Sequence, residues 1–178
     1  MTLRRRLAAF ALTLPLLLPV AYAASARPAP ELKATTLDGQ PRLLSGLRGQ
    51  IVVLNLWATW CGPCRAELPR IARLGASYEG KGVHFVAVSI DDAKDRKKIA
   101  PFLEQQQIHM DAWVATGDDV LDRFQLGDMV PDTLILDQKG VIITRITGEV
   151  QDDDIRGVVD WLLGGRKGPA PAARVKHL

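Results

Sequence analysis

The sequence predicts an α/β domain, with a mixed central sheet flanked by helices and opened by a β-hairpin. Three observations carry this expectation. Ile51–Trp57 (IVVLNLW) and Val83–Ile90 (VHFVAVSI) are nearly continuous apolar runs of strand length, as expected of strands covered on both faces. Segments with helical spacing alternate with these runs. Turn residues at Asp38-Gly39 and at Gln138-Lys139-Gly140 each separate two short strand-like stretches.

Residues 1–23 stand apart from this domain. Arg4, Arg5 and Arg6 form a positive start, and Leu7–Val20 is apolar apart from Thr13 and broken by Pro15 and Pro19. Ala21-Tyr22-Ala23 then places small residues at the −3 and −1 positions of a cleavage site, so residues 1–23 read as a signal peptide. Leu7–Ala23 is 17 residues long, at the lower limit for a membrane span, so an uncleaved inner-membrane anchor is the competing reading. The two prolines and the A-x-A sequence favour cleavage, and Ala24-Ser25-Ala26 offers a second site. Arg5-Arg6 lacks the rest of a twin-arginine consensus, and no cysteine near the cleavage region could carry a lipid. The mature protein is expected in the periplasm or an equivalent extracytoplasmic space.

The mature chain follows in order. Residues 24–31 are rich in Ala and Pro and read as a linker. Leu32–Thr36 and Arg42–Leu44 form the first hairpin, then comes the strand Ile51–Trp57. Pro63 to about Tyr78 is helical, with Pro63 tolerable in the first turn and Pro69 predicting a kink. After the strand Val83–Ile90, Lys94–Gln107 has helical spacing through Ile99, Phe102 and Leu103. Ala112–Ala115 suits a short strand and Asp118–Gln125 a short helix with an acidic start. Thr133–Asp137 and Val141–Thr147 form a second hairpin. Asp152–Leu163, with three aspartates in its first turn and Gly164-Gly165 after it, closes the domain as a helix. Residues 164–178 are expected to be a disordered basic tail.

Charge excludes one class of partner. Of the 178 residues, 23 are Lys or Arg and 20 Asp or Glu, a net charge of +3. Arg4–Arg6 account for the excess, and Arg166, Lys167, Arg174 and Lys176 crowd the other end. Residues 24–163 carry a net charge of −4. The domain is mildly acidic, without a nucleic-acid footprint.

The chemistry is concentrated at Trp60-Cys61-Gly62-Pro63-Cys64, which holds both cysteines of the chain. Three readings compete. A structural staple is weak, because closing a four-residue loop removes only about 1.9 kcal/mol of unfolded-state entropy. A metal site needs more than two thiolates, and His84, His109 and His177 are scattered singly. A redox pair needs a helix N-terminus to stabilise a thiolate, and this motif lies between a buried strand and a helix. There is no Gly-rich phosphate loop or dinucleotide fingerprint, so no cofactor is expected and electrons must come from another protein.

The run Val53–Pro69 (VLNLWATWCGPCRAELP) resembles the thioredoxin superfamily, and within it the extracytoplasmic TlpA/ResA-like thiol–disulfide oxidoreductases. The resemblance covers about residues 32–163 and includes Leu37-Asp38-Gly39, the stretch around residues 94–116, and Val130-Pro131-Asp132-Thr133. It implies a thioredoxin-like fold with an N-terminal β-hairpin and an inserted helix/strand segment. It also implies a redox-active Cys61–Cys64 disulfide. Cys61 would be the exposed attacking cysteine, and Cys64, more buried, would resolve the mixed disulfide. Trp60 would form an apolar surface beside the sulfurs, and Gly62 and Pro63 would set the turn and its redox poise. Pro131 matches a cis-proline, against an ordinary trans turn proline as the bland reading, and Val130 would pair its backbone with a substrate strand.

Asn55 stands six residues before Cys61, where cytoplasmic thioredoxins carry a buried aspartate. Glu67, three residues beyond Cys64, matches an acidic position of the branch. On a helix it would neighbour Cys64 and could act as an acid/base with a pKa raised by burial. The competing reading is a solvated glutamate paired with Arg70. Trp57, Trp113 and Trp161 read as core aromatics, His84 as a structural histidine, and the Lys94–Lys98 charges as a solvated face.

The resemblance implies a monomeric reductase of disulfides in exported proteins, apocytochromes c or copper-site assembly proteins among them. A membrane electron donor of the transmembrane thiol-relay type would regenerate it. Membrane contact is expected only if the N-terminal segment is uncleaved. A DsbA-type oxidase or isomerase is the alternative, against which Gly62-Pro63 argues, since that class usually has Pro-His there. A non-catalytic copper carrier lacks a third soft ligand. A peroxiredoxin-like peroxidase lacks its lone cysteine in a Thr/Pro-rich loop.

Overall fold

The computed structural model describes residues 28–115, 120–127 and 129–171. The expected signal peptide, most of the linker, Asp118 and residues 172–178 lie outside the described residues. Among the described residues, thirteen pieces of regular structure follow one another. Strands β1 (Lys33–Thr36) and β2 (Pro41–Leu43) form the first hairpin, closed by the Gly39 turn with φ +84°. A 3-10 turn at Leu44–Leu47 leads to β3 (Ile51–Trp57), then α1 (Gly62–Ala76) and β4 (Val83–Ser89). The inserted segment is a 3-10 turn (Arg96–Lys98) running into α2 (Ile99–Gln105), followed by β5 (Asp111–Ala115). The chain then makes α3 (Val120–Phe124), β6 (Asp132–Leu136), β7 (Ile142–Thr147) and α4 (Asp152–Leu163).

The seven strands form one sheet in the order β2-β1-β5-β4-β3-β6-β7. β3, β4 and β5 are parallel, and the remaining pairs are antiparallel. The apolar run IVVLNLW lies near the middle of the sheet, so all seven residues are buried and neither face needs polar residues. Successive side chains of β3 point to opposite sides. Val52, Leu54 and Leu56 pack with Val86, Val88, Trp113, Leu134 and Phe124. Ile51 and Val53 pack instead with Ile71 and Leu74 of α1 and Ile155 and Val159 of α4. A third cluster, Trp57, Leu68, Phe102, Leu103 and both cysteines, fills the end of the sheet toward which β3 runs. Burying each such side chain is worth about 1.5–3 kcal/mol, which holds α1 against β3 and β4.

Several boundaries differ from expectation. Lys94–Gln107 is not one helix. Pro69 lies inside α1, which continues to Ala76. Contacts with the sheet extend before residue 32: Pro28 bridges to Val141, and the Ala29 N–H donates to the Gly140 carbonyl at 2.7 Å. Contacts also continue past residue 163. Arg166 forms an ion pair with the buried Asp137 and lies over the Trp161 ring, 5.7 Å from its centroid. Trp161 donates from Nε1 to the Gly168 carbonyl at 3.3 Å. At the start of the expected tail, Arg166 thus meets a buried acid and an aromatic face. Trp57 and Trp113 are core residues as expected, and His84 pairs with Asp111 at 3.0 Å on adjacent strands. Among the described residues, no helix is long and apolar enough to cross a membrane.

Candidate active site

The end of β3 delivers the chain into a tight turn, in which the Cys61 N–H donates to the Ala58 carbonyl at 3.1 Å. Cys61 is the N-cap of α1, in extended conformation, and Gly62 and Pro63 occupy the first two helical positions. Pro63 loses nothing there, since the first-turn N–H groups have no partner within the helix. The Cys61 sulfur accepts a hydrogen bond from the Cys64 N–H at 3.2 Å. The sulfur of Cys61 thus sits where the unpaired N–H groups and the helix dipole stabilise negative charge. Cys61 and Cys64 are joined as a disulfide, with their Cα atoms 5.3 Å apart.

The exposure of the pair corrects one expectation. Cys61 is only 5% exposed, and Cys64 is wholly buried. The order is as implied, but Cys61 shows solvent a mere edge, because Val130 packs against the same cluster from across the site. The Cys61 sulfur lies 3.5 Å from the Val130 carbonyl oxygen, and the Val130–Pro131 peptide is cis. Around this edge the surface is apolar. Trp60, just before Cys61, and Met129, just before Val130, are each 59% exposed, and Gly62 and Pro63 are exposed too. The structure therefore gathers Trp60, Cys61, Gly62, Pro63, Cys64, Val130 and Pro131 at one place. Met129 escaped the sequence reading, as a lone apolar residue in a loop carries no pattern.

Glu67 is not a solvated glutamate. It is fully buried one helical turn beyond Cys64. Its Oε1 accepts from the Asn55 amide at 2.9 Å, and its Oε2 from the Val150 N–H at 2.9 Å. Asn55 also donates to the Thr133 hydroxyl at 3.0 Å, its cross-strand neighbour on β6. Arg70 turns away, bonding Asp152 at 2.6 Å and the Val150 carbonyl. Burial pushes the Glu67 carboxyl up to about 7, although the Val150 and Asn55 hydrogen bonds and the Arg70 charge pull it down. A carboxyl titrating near neutrality beneath a buried cysteine can take up or release a proton at physiological pH.

Two more acids near the site escaped the sequence reading. Asp132, directly after Pro131, is fully buried. Burial raises it to about 6, only partly offset by the Thr147 hydroxyl and the Arg145 charge. Asp91 follows β4 and is 2% exposed. Its carboxylate accepts from the Thr59 N–H and hydroxyl in the turn before Cys61. An acid just past the carboxyl end of a strand beside β3 was the available clue, since sites in open α/β sheets gather at those ends.

Comparison with known proteins agrees with this geometry. Residues 26–145 match the family described as AhpC/TSA. The chain is 33% identical over 127 residues to thiol-disulfide oxidoreductase ResA of Geobacillus kaustophilus, covering 71% of each chain. It is 30% identical over 129 residues to ResA of Bacillus cereus, covering 72% of this chain and 73% of that one. Among solved structures, a thioredoxin-family thiol:disulfide interchange protein from Chlorobium tepidum superposes with a TM-score of 0.66. That likeness, at 24% identity over 78% of this chain and 97% of the other, concerns the fold. A dithiol capping a helix, on a thioredoxin-like sheet and in a chain so close to the ResA proteins, places this protein in the AhpC/TSA family as a thiol–disulfide oxidoreductase of the ResA/DsbE type.

Proposed function

We propose that the protein is exported and reduces disulfides in other extracytoplasmic proteins, with Cys61 attacking and Cys64 resolving. The observation that carries this reading is the asymmetry of the pair. Cys61 caps the helix with its edge toward solvent, and Cys64 is sealed above a carboxyl that titrates near neutrality. The Cys61 thiolate attacks one sulfur of a client disulfide, the other client sulfur leaves as a thiolate, and a mixed disulfide forms. Cys64, losing its proton to Glu67, then attacks Cys61. This forms the Cys61–Cys64 disulfide and releases the client as a dithiol. The exposed Trp60 and Met129 favour an unfolded, apolar client segment, and the Val130 backbone at the site edge suits a strand laid alongside it.

Two electrons must return to the pair for each cycle. A membrane thiol relay supplies them in this reading, and the signal-like residues 1–23 support the export it requires. Apocytochromes and copper-site assembly proteins are the clients the resemblance suggests.

The test is reduction of insulin with dithiothreitol as donor, beside a glutathione titration. The expected potential is closer to the roughly −270 mV of thioredoxin than to the roughly −120 mV of DsbA, and a value above about −150 mV would make the protein an oxidant. Cys61→Ser should abolish insulin reduction, and full turnover in that variant rejects the mechanism. Tight Cu(I) binding with negligible insulin reduction would make it a copper carrier instead. Cys64→Ser should accumulate mixed disulfides whose partners identify the client.

A further inference from the structure

Asp91 takes no part in the steps above, yet it is the most heavily hydrogen-bonded carboxylate beside the active-site turn. The Thr59 N–H reaches both its oxygens, at 3.1 and 3.0 Å, and the Thr59 hydroxyl donates to Oδ1 at 2.6 Å. The Ser89 hydroxyl donates to Oδ2 at 2.8 Å and accepts from the Asp91 N–H at 3.0 Å. One backbone N–H and two hydroxyls thus donate to the carboxylate.

No cation pairs with this carboxylate among the described residues. Arg96 reaches the Asp91 main-chain carbonyl at 3.3 Å and the Ala115 carbonyl at 3.2 Å instead. Asp92 faces Lys94 at 3.4 Å. The other charged or titratable groups near the turn are Glu67, Asp132 directly after Pro131, and Arg65, whose guanidinium lies 5.5 Å from the Phe102 ring centroid. The buried Asp91 carboxylate is therefore bonded to Thr59, two residues before Cys61, on a turn closed by the Cys61–Ala58 hydrogen bond.

We propose that Asp91 is a positioning residue of the active site, whose carboxylate clamps the turn that presents Cys61 and supplies a fixed negative charge that keeps the dithiol reducing. Reduction of the Cys61–Cys64 bond takes two electrons and two protons and yields two thiols. Whatever stabilises the Cys61 thiolate stabilises the reduced state and makes the protein an oxidant. The helix N-terminus does this, and Asp91 opposes it. This inference rests on Cys61 being the attacking thiol.

Asp91→Asn and Thr59→Val test it together, in the full chain. The readouts are the equilibrium with glutathione and the alkylation rate against pH, with the labelled cysteine identified by mass spectrometry. Asp91→Asn should move the equilibrium about tenfold toward the dithiol, about 30 mV for a two-electron couple, and lower the Cys61 alkylation midpoint. Thr59→Val keeps the charge but removes a donor that partly neutralises it, so both readouts should move the opposite way. A mere mechanical clip would loosen in both variants alike, so shifts of the same sign, or no shifts, overturn the proposal. If Asp91→Asn does not fold, Thr59→Val decides alone, and a Cys61 midpoint at or below wild type overturns it. Labelling of Cys64 before Cys61 would reject the assignment of the attacking thiol instead, and the signs of the potential shifts would still judge Asp91.

Discussion

Replacing Glu67 with glutamine should remove much of the pH dependence of stability in the disulfide-bonded protein. Burial lifts this carboxyl from 4.5 to about 7. A carboxyl raised in the folded state binds its proton more tightly there than in the unfolded chain. Its contribution is therefore complete below pH 4.5 and is lost as the pH rises through 7. At 1.36 kcal/mol for each pH unit between those values, ionised Glu67 costs the fold about 3 kcal/mol above neutrality. That is a large share of a typical stability of about 5–15 kcal/mol.

Glutamine keeps the size of the side chain but cannot ionise. Its NH₂ would face the Asn55 Nδ2 unless the Asn55 amide turns over. The Asn55 Oδ1, buried and without a partner among the described residues, could then accept from it. This rearrangement and the altered bond to Val150 should cost about 1 kcal/mol at low pH. Urea unfolding of oxidised wild type and Glu67→Gln from pH 4.5 to 8, taken as a difference, cancels other titrating groups such as Asp132. The wild type should be the more stable by about 1 kcal/mol at pH 4.5 and the less stable by about 2 kcal/mol at pH 8. A difference that stays flat across this range would refute a raised Glu67 and with it the proton-acceptor role.

Asp132→Asn should behave similarly on the other side of Pro131. Its carboxyl is raised from 3.8 to about 6, so stability is complete below 3.8 and lost through 6, and the variant should gain on wild type in urea titrations above pH 6. An unchanged difference between pH 4 and 8 would count against it. Gly75→Ala should lower the melting temperature despite the better helix propensity of alanine. A Cβ there would lie 3.0 and 3.1 Å from the Phe85 Cγ and Cβ atoms, the rigid root of a ring that stacks on Tyr78. A rise in melting temperature would show that β4 yields easily at this point.

By itself, the sequence determined the kinds of element and the centre of the chemistry. Ile51–Trp57 and Val83–Ser89 were legible because a strand covered on both faces must be apolar throughout, a property of consecutive residues. A dithiol between a buried strand and a helix N-terminus followed from a strand run, two cysteines and Pro63, all within about a dozen residues. Resemblance added the pairing of Pro131 with the dithiol. The roles of the acids were decided only by the tertiary structure. Glu67 is a buried acid instead of a surface ion pair because Asn55 and Val150, 12 and 83 residues away, meet it where α1 packs on the sheet. Asp91 was invisible as a clamp because its partner Thr59 lies 32 residues earlier, brought alongside by the parallel pairing of β3 and β4. The start of the tail, at Arg166, carried no pattern because a basic, Pro-rich stretch cannot bury itself, and Asp137 and Trp161 are the distant partners it meets. Local pattern decides what a segment becomes. The solvent and partners that a titrating side chain meets depend on which distant segments the sheet order sets beside it, and these shift its pKa through desolvation and hydrogen bonding.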